Sequence, residues 1–179
     1  MKISTIVVGL GKIGMFYDYK KKGHFNNHCQ AIESHKNFRL IAAVDRDKKK
    51  FNKFIKIYKA PVFSSLKFAF EKMRPDLIIL STPTTKNDEL FEYIKKNNIS
   101  PKIFLVEKPG SYEYSNFKKF VDYCNTNKIK IVVNYQRSFS SSLSIISSFL
   151  NKQKKSKLRY IIKKVSIIHV VIILICFLN

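Results

Sequence analysis

The sequence predicts an α/β fold built on a doubly wound parallel sheet, and two observations carry that prediction. Short runs of β-branched and other apolar residues alternate with longer mixed segments, the pattern left by βαβ units. The first run, residues 3–8, leads straight into Gly9-Leu10-Gly11-Lys12-Ile13-Gly14, whose glycines suit a tight strand-to-helix turn. Candidate strands are residues 3–8, 39–44, 61–63, 77–80, 103–106 and 129–133. Their apolar runs are continuous rather than alternating, as in strands covered on both faces. Helices are expected over residues 13–17, 29–34, 48–58, 66–73, 87–97 and 114–125. In the last of these Phe117, Phe120, Val121 and Cys124 recur at helical spacing and are read as core-facing. Pro75 and Pro101 stand between a helix and the next strand, where a helix stop is wanted. After Gln136 a serine-rich stretch opens a helix to Leu150, a lysine-rich turn follows, and residues 158–165 read as one more strand. The expected domains are 1–137, the doubly wound unit, and 138–179, a linker helix, the first strand of a second α+β domain and an apolar tail.

Composition narrows the function classes. The chain has 179 residues, 45% hydrophobic, enough for one full domain with a real core and unlike a disordered or fibrous chain. Cys29, Cys124 and Cys176 lack the spacing of a disulfide framework or a zinc site, so no metal is expected and the setting is read as reducing and cytoplasmic. Thirty-four Lys+Arg against twelve Asp+Glu give a formal charge of +22. Such a charge attracts anionic ligands. The lysines are spread along the whole chain among many Ile and Asn, as AT-rich codons would leave them. No RNP-like, helix-turn-helix or zinc pattern is present to read bases, so no specific nucleic-acid partner is expected. The N-terminus lacks the long apolar region and cleavage site of a signal peptide. Residues 165–178 are almost wholly apolar. As a helix they would reach about 21 Å, short of the roughly 30 Å hydrocarbon core, so no membrane span is expected.

The chemistry concentrates at strand ends. In the glycine motif, Gly9 permits the tight turn, Gly11 lets a pyrophosphate approach the backbone, and Gly14 allows the helix to pack closely on the strand. The phosphates would meet free N–H groups at the start of that helix. The second strand runs out at Asp45, where a dinucleotide fold places an acid that bonds the adenosine ribose hydroxyls. Asp45 comes later than the usual spacing, and a polar insertion over residues 18–27 accounts for the extra length. Helix capping suits Asp47 better than Asp45. An acid at this place favours NAD; Arg46 beside it could stack on adenine or accept NADP. Two further strand ends point to the same edge, Ser81-Thr82-Pro83-Thr84 and Val106-Glu107-Lys108-Pro109-Gly110. A lysine beside a carboxylate and before a rigid proline can serve as a general acid or a charge clamp near a nicotinamide. Alone, in a lysine-rich chain, it would be a solvated surface residue.

These motifs, with Asn134-Tyr135-Gln136-Arg137-Ser138-Phe139 after them, occur in an order and at intervals that resemble the Gfo/Idh/MocA family of sugar and polyol dehydrogenases. The resemblance spans the chain to about Val165. It implies an N-terminal Rossmann domain carrying NAD(P), with Lys108 matching the lysine that contacts substrate and nicotinamide ribose. Tyr135 and Arg137 match positions at the sheet edge leading into a second domain. The candidate cofactor-binding residues are Gly9, Gly11, Lys12, Ile13, Gly14, Asp45, Arg46, Ser81, Thr82, Pro83, Glu107, Lys108, Pro109 and Gln136, and the candidate catalytic residue is Lys108. Where the family often has a histidine four residues after the Thr-Pro proline, this chain has Asn87. The family continues into a large open sheet that holds substrate and supplies an aspartate and a histidine. His169 lies outside that motif context, and His24, His28 and His35 are read as surface or packing residues.

The expectation is therefore the NAD(P)-binding portion of an oxidoreductase acting on a sugar, nucleotide-sugar or polyol, inactive alone because the substrate domain is missing. Its partners are the dinucleotide and, in full-length relatives, a small sugar-like substrate. Family subunit contacts generally use the second-domain sheet, so the oligomeric state is left open. The rival readings are a non-catalytic NAD-binding regulatory module and a basic, tail-anchored surface protein. The tail reads as a shifted frame of the family's Gly-Ser-His-x-x-Asp-Leu-Leu stretch. One allowed set of codons for residues 170–179, read two bases later, gives Ser-His-Tyr-Ile-Asp-Leu-Leu-Phe-Lys.

Overall fold

The first apolar run forms strand β1, Ile3–Val8, at the centre of a six-stranded, all-parallel sheet with the order β3-β2-β1-β4-β5-β6. The computed structural model describes residues 2–19 and 26–135. The other strands are β2 (Phe38–Val44), β3 (Val62–Phe63), β4 (Leu77–Leu80), β5 (Ile103–Glu107) and β6 (Lys130–Asn134). The helices are α1 (His28–Ser34), α2 (Phe51–Tyr58), α3 (Leu66–Met73), α4 (Asn87–Lys96) and α5 (Tyr114–Thr126). The chain divides into two compact units, 1–131 and 132–179, and of the second only residues 132–135 are described. The expected boundary at 137/138, the helix to Leu150, the strand 158–165, Gln136, Arg137, His169 and the apolar tail all lie outside the described residues.

Both faces of the sheet are buried, which is why the strands read as continuous apolar runs. On one face Ile6, Val8, Ala42, Val44, Ile78, Leu80, Phe104 and Val106 pack with Leu66 and Ala69 of α3, Phe91 and Ile94 of α4, and Phe120 and Cys124 of α5. Phe91 and Phe120 stack with ring centroids 4.1 Å apart. Phe117 joins that layer from its edge, and Val121 is half-buried. The alternating residues Val7, Ala43, Ile79 and Leu105 are buried on the opposite face, where α1 packs against β1 and β2. The register of β1 on β2 shifts between Thr5 and Ile6, which keeps Val8 level with Val44 at the strand ends.

Two expected helices differ in form. The segment expected as helix 13–17 is a single turn of π-helix, Lys12–Phe16. The Gly11 carbonyl accepts from Met15 N and Phe16 N, and Lys12 O accepts from Tyr17 N at 2.7 Å. Tyr17 is extended (φ −69°, ψ 118°), so the chain leaves the turn for the polar insertion, and the crossover helix restarts at α1. There Asn27 is the cap, its side chain accepting from Gln30 N at 2.9 Å. The segment expected as one helix over 48–58 opens as a 3-10 turn, Lys48–Lys50, capped by Asp47, and continues as α2.

The end of the sheet away from these strand-to-helix turns is pinned by Asp76. Its carboxylate accepts from Ser4 N at 3.0 Å and Ser4 Oγ at 2.7 Å and pairs with Lys102 Nζ at 2.7 Å. The Lys102 bond first, then the Ser4 hydroxyl and amide, lower its pKa from 3.8 to about 2. A carboxyl depressed in the folded state contributes stability that is present above its unfolded pKa and lost as the pH falls through the folded one. Asp76→Asn is therefore expected to cost on the order of 1 kcal/mol at neutral pH, allowing for solvent screening at this partly exposed site. The cost should shrink as the pH falls from about 5 toward 2. Urea unfolding of both proteins across that range measures it, and a pH-independent difference would contradict the assignment.

Candidate functional site

Four loops leave the carboxyl ends of β1, β2, β4 and β5 at one level, because the register aligns Val8 with Val44 and Leu80, and Leu80 with Val106. Gly9, Asp45, Ser81 and Glu107 thus stand along one edge. β1 is the switch point, with β2 on one side and β4 on the other, and open α/β sheets bind ligands there.

The glycine loop is held from below and open above. Gly9 has φ +92°, and a Cβ on it would lie 2.9 Å from the Ser81 carbonyl oxygen. Its N–H donates to Val44 O at 2.8 Å. A Cβ on Gly14 would overlap the Gly9 carbonyl oxygen and lie 2.9 Å from Ser81 Oγ. Gly11 is different, since a Cβ there meets nothing within 4 Å. The open space above the Gly11 backbone is what close approach of a pyrophosphate requires, and Lys12 and Ile13 are exposed beside it. Ser81 faces the loop: its hydroxyl donates to Val8 O at 2.9 Å and Gly9 O at 2.8 Å.

Asp45 closes the loop on the β2 side. Its Oδ2 accepts from Leu10 N at 2.6 Å and from Lys50 Nζ at 3.0 Å, and its Oδ1 accepts from Asp47 N at 2.8 Å. The carboxylate is thereby fixed in orientation beside the glycine turn, and capping falls to Asp47, whose Oδ1 accepts from Lys49 N. Arg46 is exposed. Sequence reasoning missed Lys50, a single lysine within a run of three.

On the β4 and β5 side, Thr82 Oγ1 donates to Asn87 Oδ1 at 2.7 Å, and Asn87 Nδ2 donates to Gly110 O at 2.8 Å. Thr84 Oγ1 donates to Pro109 O at 3.2 Å. Glu107 Oε1 lies 2.7 Å from Nε2 of His28, with side chains 14% and 11% exposed. This corrects the reading of His28 as a surface or packing residue: the first residue of α1 reaches the end of β5 and anchors the residue before Lys108. Its position directly after the capping Asn27 was the one local signal available. Lys108 is exposed and, among the described residues, takes part in no hydrogen bond or ion pair. The Lys108–Pro109 peptide bond is cis, and Pro83 and Pro109 are exposed at the same edge.

Burial raises both described thiols: Cys29 lies far above the usual range, and Cys124 is pushed up to about 12. Among the described residues no group of three or more His, Cys, Asp or Glu is placed to hold a metal ion, and no helix is long and apolar enough to cross a membrane.

Solved dehydrogenase structures share this fold, two of the three described next with a bound nicotinamide cofactor. The WlbA dehydrogenase from Chromobacterium violaceum, in complex with NADH and UDP-GlcNAcA, is 20% identical with a TM-score of 0.71, over 87% of this chain and 41% of that one. The scyllo-inositol dehydrogenase from Lactobacillus casei, with NAD(H) and scyllo-inositol, is 16% identical with a TM-score of 0.68, over 87% and 43%. The myo-inositol 2-dehydrogenase from Lactobacillus plantarum is 12% identical with a TM-score of 0.66, over 85% and 42%. At these identities the likeness is one of fold, and this chain spans about two-fifths of the length of those proteins. No curated protein matches the sequence. Residues 3–135 match the oxidoreductase family with the NAD-binding Rossmann fold, the stretch that holds the glycine loop, Asp45 and the Glu107-Lys108-Pro109 turn, and the chain therefore belongs to the Gfo/Idh/MocA family.

Proposed function

We propose that this chain holds NAD along the carboxyl edge of its sheet and forms the cofactor half of an oxidoreductase acting on a sugar, nucleotide-sugar or polyol by hydride transfer. The observation that carries the reading is the clearance over Gly11, flanked by two glycines that tolerate no side chain and by the oriented carboxylate of Asp45. The residues fit the cofactor. The Gly9–Gly14 turn takes the pyrophosphate on its backbone, and Asp45 keeps oxygen lone pairs for ribose hydroxyls. Bound NAD supplies the hydride acceptor or donor. Lys108 contributes its ammonium: held between an anchored Glu107 and the tied Pro109, it reaches the substrate side and holds or moves a proton at Nζ. The solved relatives' ligands, UDP-GlcNAcA and scyllo-inositol, are polyhydroxylated, which supports that substrate class. Buried, unreactive Cys29 and Cys124 suit a reducing, cytoplasmic setting.

Titration of the purified chain with NADH, followed by fluorescence and calorimetry, tests the reading, and absence of binding would refute it. A turnover assay on sugars and polyols with the same protein separates hydride transfer from a module that binds NAD without reacting.

NAD is expected to bind at least about tenfold more tightly than NADP, because a 2'-phosphate would be set against the Asp45 carboxylate. Asp45→Ser should bring the two affinities together. Both will also fall, since the variant loses the bond that holds Leu10 N, so the quantity to follow is the NADP/NAD ratio of Kd values. Equal affinities in the parent protein would contradict the role given to Asp45.

A further inference from the structure

We infer that Asn87 is a positioning residue for the nicotinamide half of the cofactor: by tying the loop after β4 to the loop after β5 it sets the gap in which that half lies. The inference rests on the dinucleotide reading above and goes beyond it, to a residue that reading does not use.

Asn87 is fully buried at the first position of α4. Burying a carboxamide is unfavourable unless its donor and acceptor are both engaged. Here both are, one on each loop: Oδ1 accepts from Thr82 and Nδ2 donates to Gly110 O. An apolar residue would fill the same space in the helix layer without that penalty, so the amide's distinctive contribution is the tie itself. The two nucleotide halves of a dinucleotide lie on opposite sides of the switch point. With Asp45 marking the adenosine side beyond β1, the other half extends over the ends of β4 and β5, where the tied loops stand. Thr84 adds a second bond across the same gap, to Pro109 O, and His28 fixes Glu107 on the β5 loop. Every residue of the Glu107–Gly110 turn is thus anchored from another element except Lys108.

The residue type matters as well as the place. A neutral imidazole, expected here from the family resemblance, offers one donor and one acceptor and loses the acceptor when protonated. The carboxamide keeps both at any pH, so in this chain the tie through residue 87 is independent of protonation.

The isosteric variant Asn87→Asp tests this. Its carboxylate still accepts from Thr82 but sets an oxygen against Gly110 O, 2.8 Å from the Nδ2 position, unless it carries a proton. NADH affinity of the folded variant is expected to drop about tenfold or more near neutral pH and to recover at mildly acidic pH. Affinity for ADP-ribose, which lacks the nicotinamide, should stay within about twofold of the parent at both. A residue that only stabilises the fold would change neither affinity or both alike. Asn87→Ala, which removes both bonds without introducing a charge, carries the same comparison should the aspartate variant not fold. Equal losses of NADH and ADP-ribose binding, or unchanged NADH binding, would overturn the inference. A parent protein that binds neither ligand would instead overturn the dinucleotide reading, and the inference with it.

Discussion

Replacing Gly11 by valine is expected to leave the protein folded and to weaken NADH binding by about a hundredfold or more, roughly 3 kcal/mol. Gly11 has φ −83° and ψ −161°, an extended conformation that a β-branched residue adopts without strain. A Cβ at this position meets nothing within 4 Å, so the folded protein has room for the side chain. In the proposed cofactor site that room is the path of the pyrophosphate to the backbone, and the added methyl groups would fill it. Thermal unfolding and NADH titration of the same preparation provide the two readouts. A folded Gly11→Val protein that binds NADH as the parent does would show that the glycine turn is not the phosphate site.

Gly14→Ala should show the opposite pattern, with stability lost first. Its Cβ would overlap the Gly9 carbonyl oxygen, and that oxygen cannot retreat freely because it accepts from Ser81 Oγ. Gly9 itself lies against the Ser81 backbone. Relief requires the π turn to lift off β1 or the loop to release Ser81, and either disturbs the buried Leu10 and Met15. A loss of about 3–5 kcal/mol is expected, a large share of the roughly 5–15 kcal/mol that stabilises a typical domain. Urea unfolding gives the value. A loss under about 1 kcal/mol would mean that the packing of this turn on the strand is looser than described.

The contrast between two glycines three residues apart shows how far the sequence could be read. The spacing of the motif assigned a tight turn to Gly9 and close helix-on-strand packing to Gly14, and the geometry has both, with open space at Gly11 between them. Apolar runs located the strands closely, with Leu77–Leu80 and α3 matching at both ends, because strand and helix periodicity are local properties of the chain. The π turn was not legible, since its bonds differ from those of an α-helix by one residue in span. Nor was the His28–Glu107 pair, whose members stand 79 residues apart and meet only once α1 has packed on the sheet. Asn87 was noticed as a departure from a family pattern, but its two bonds follow from the approach of two loops that no local pattern encodes. Ser81 was counted with the cofactor contacts; that its hydroxyl also bonds the glycine loop could not be read from the sequence.

The break in the first crossover has a consequence for protein engineering. Tyr17 N closes the π turn on Lys12 O, α1 begins on its own cap, and Asn27 Nδ2 donates to Tyr17 O at 2.8 Å, so the two ends of the insertion are stapled to each other. The glycine turn and α1 are thus each held by bonds of their own at Tyr17 and Asn27, and doubling the length of a connection costs only about 0.6 kcal/mol in closure entropy. The crossover is thus a ready graft point, where an affinity epitope or a small reporter domain could be spliced in beside the carboxyl edge of the sheet while the strands behind it keep their register.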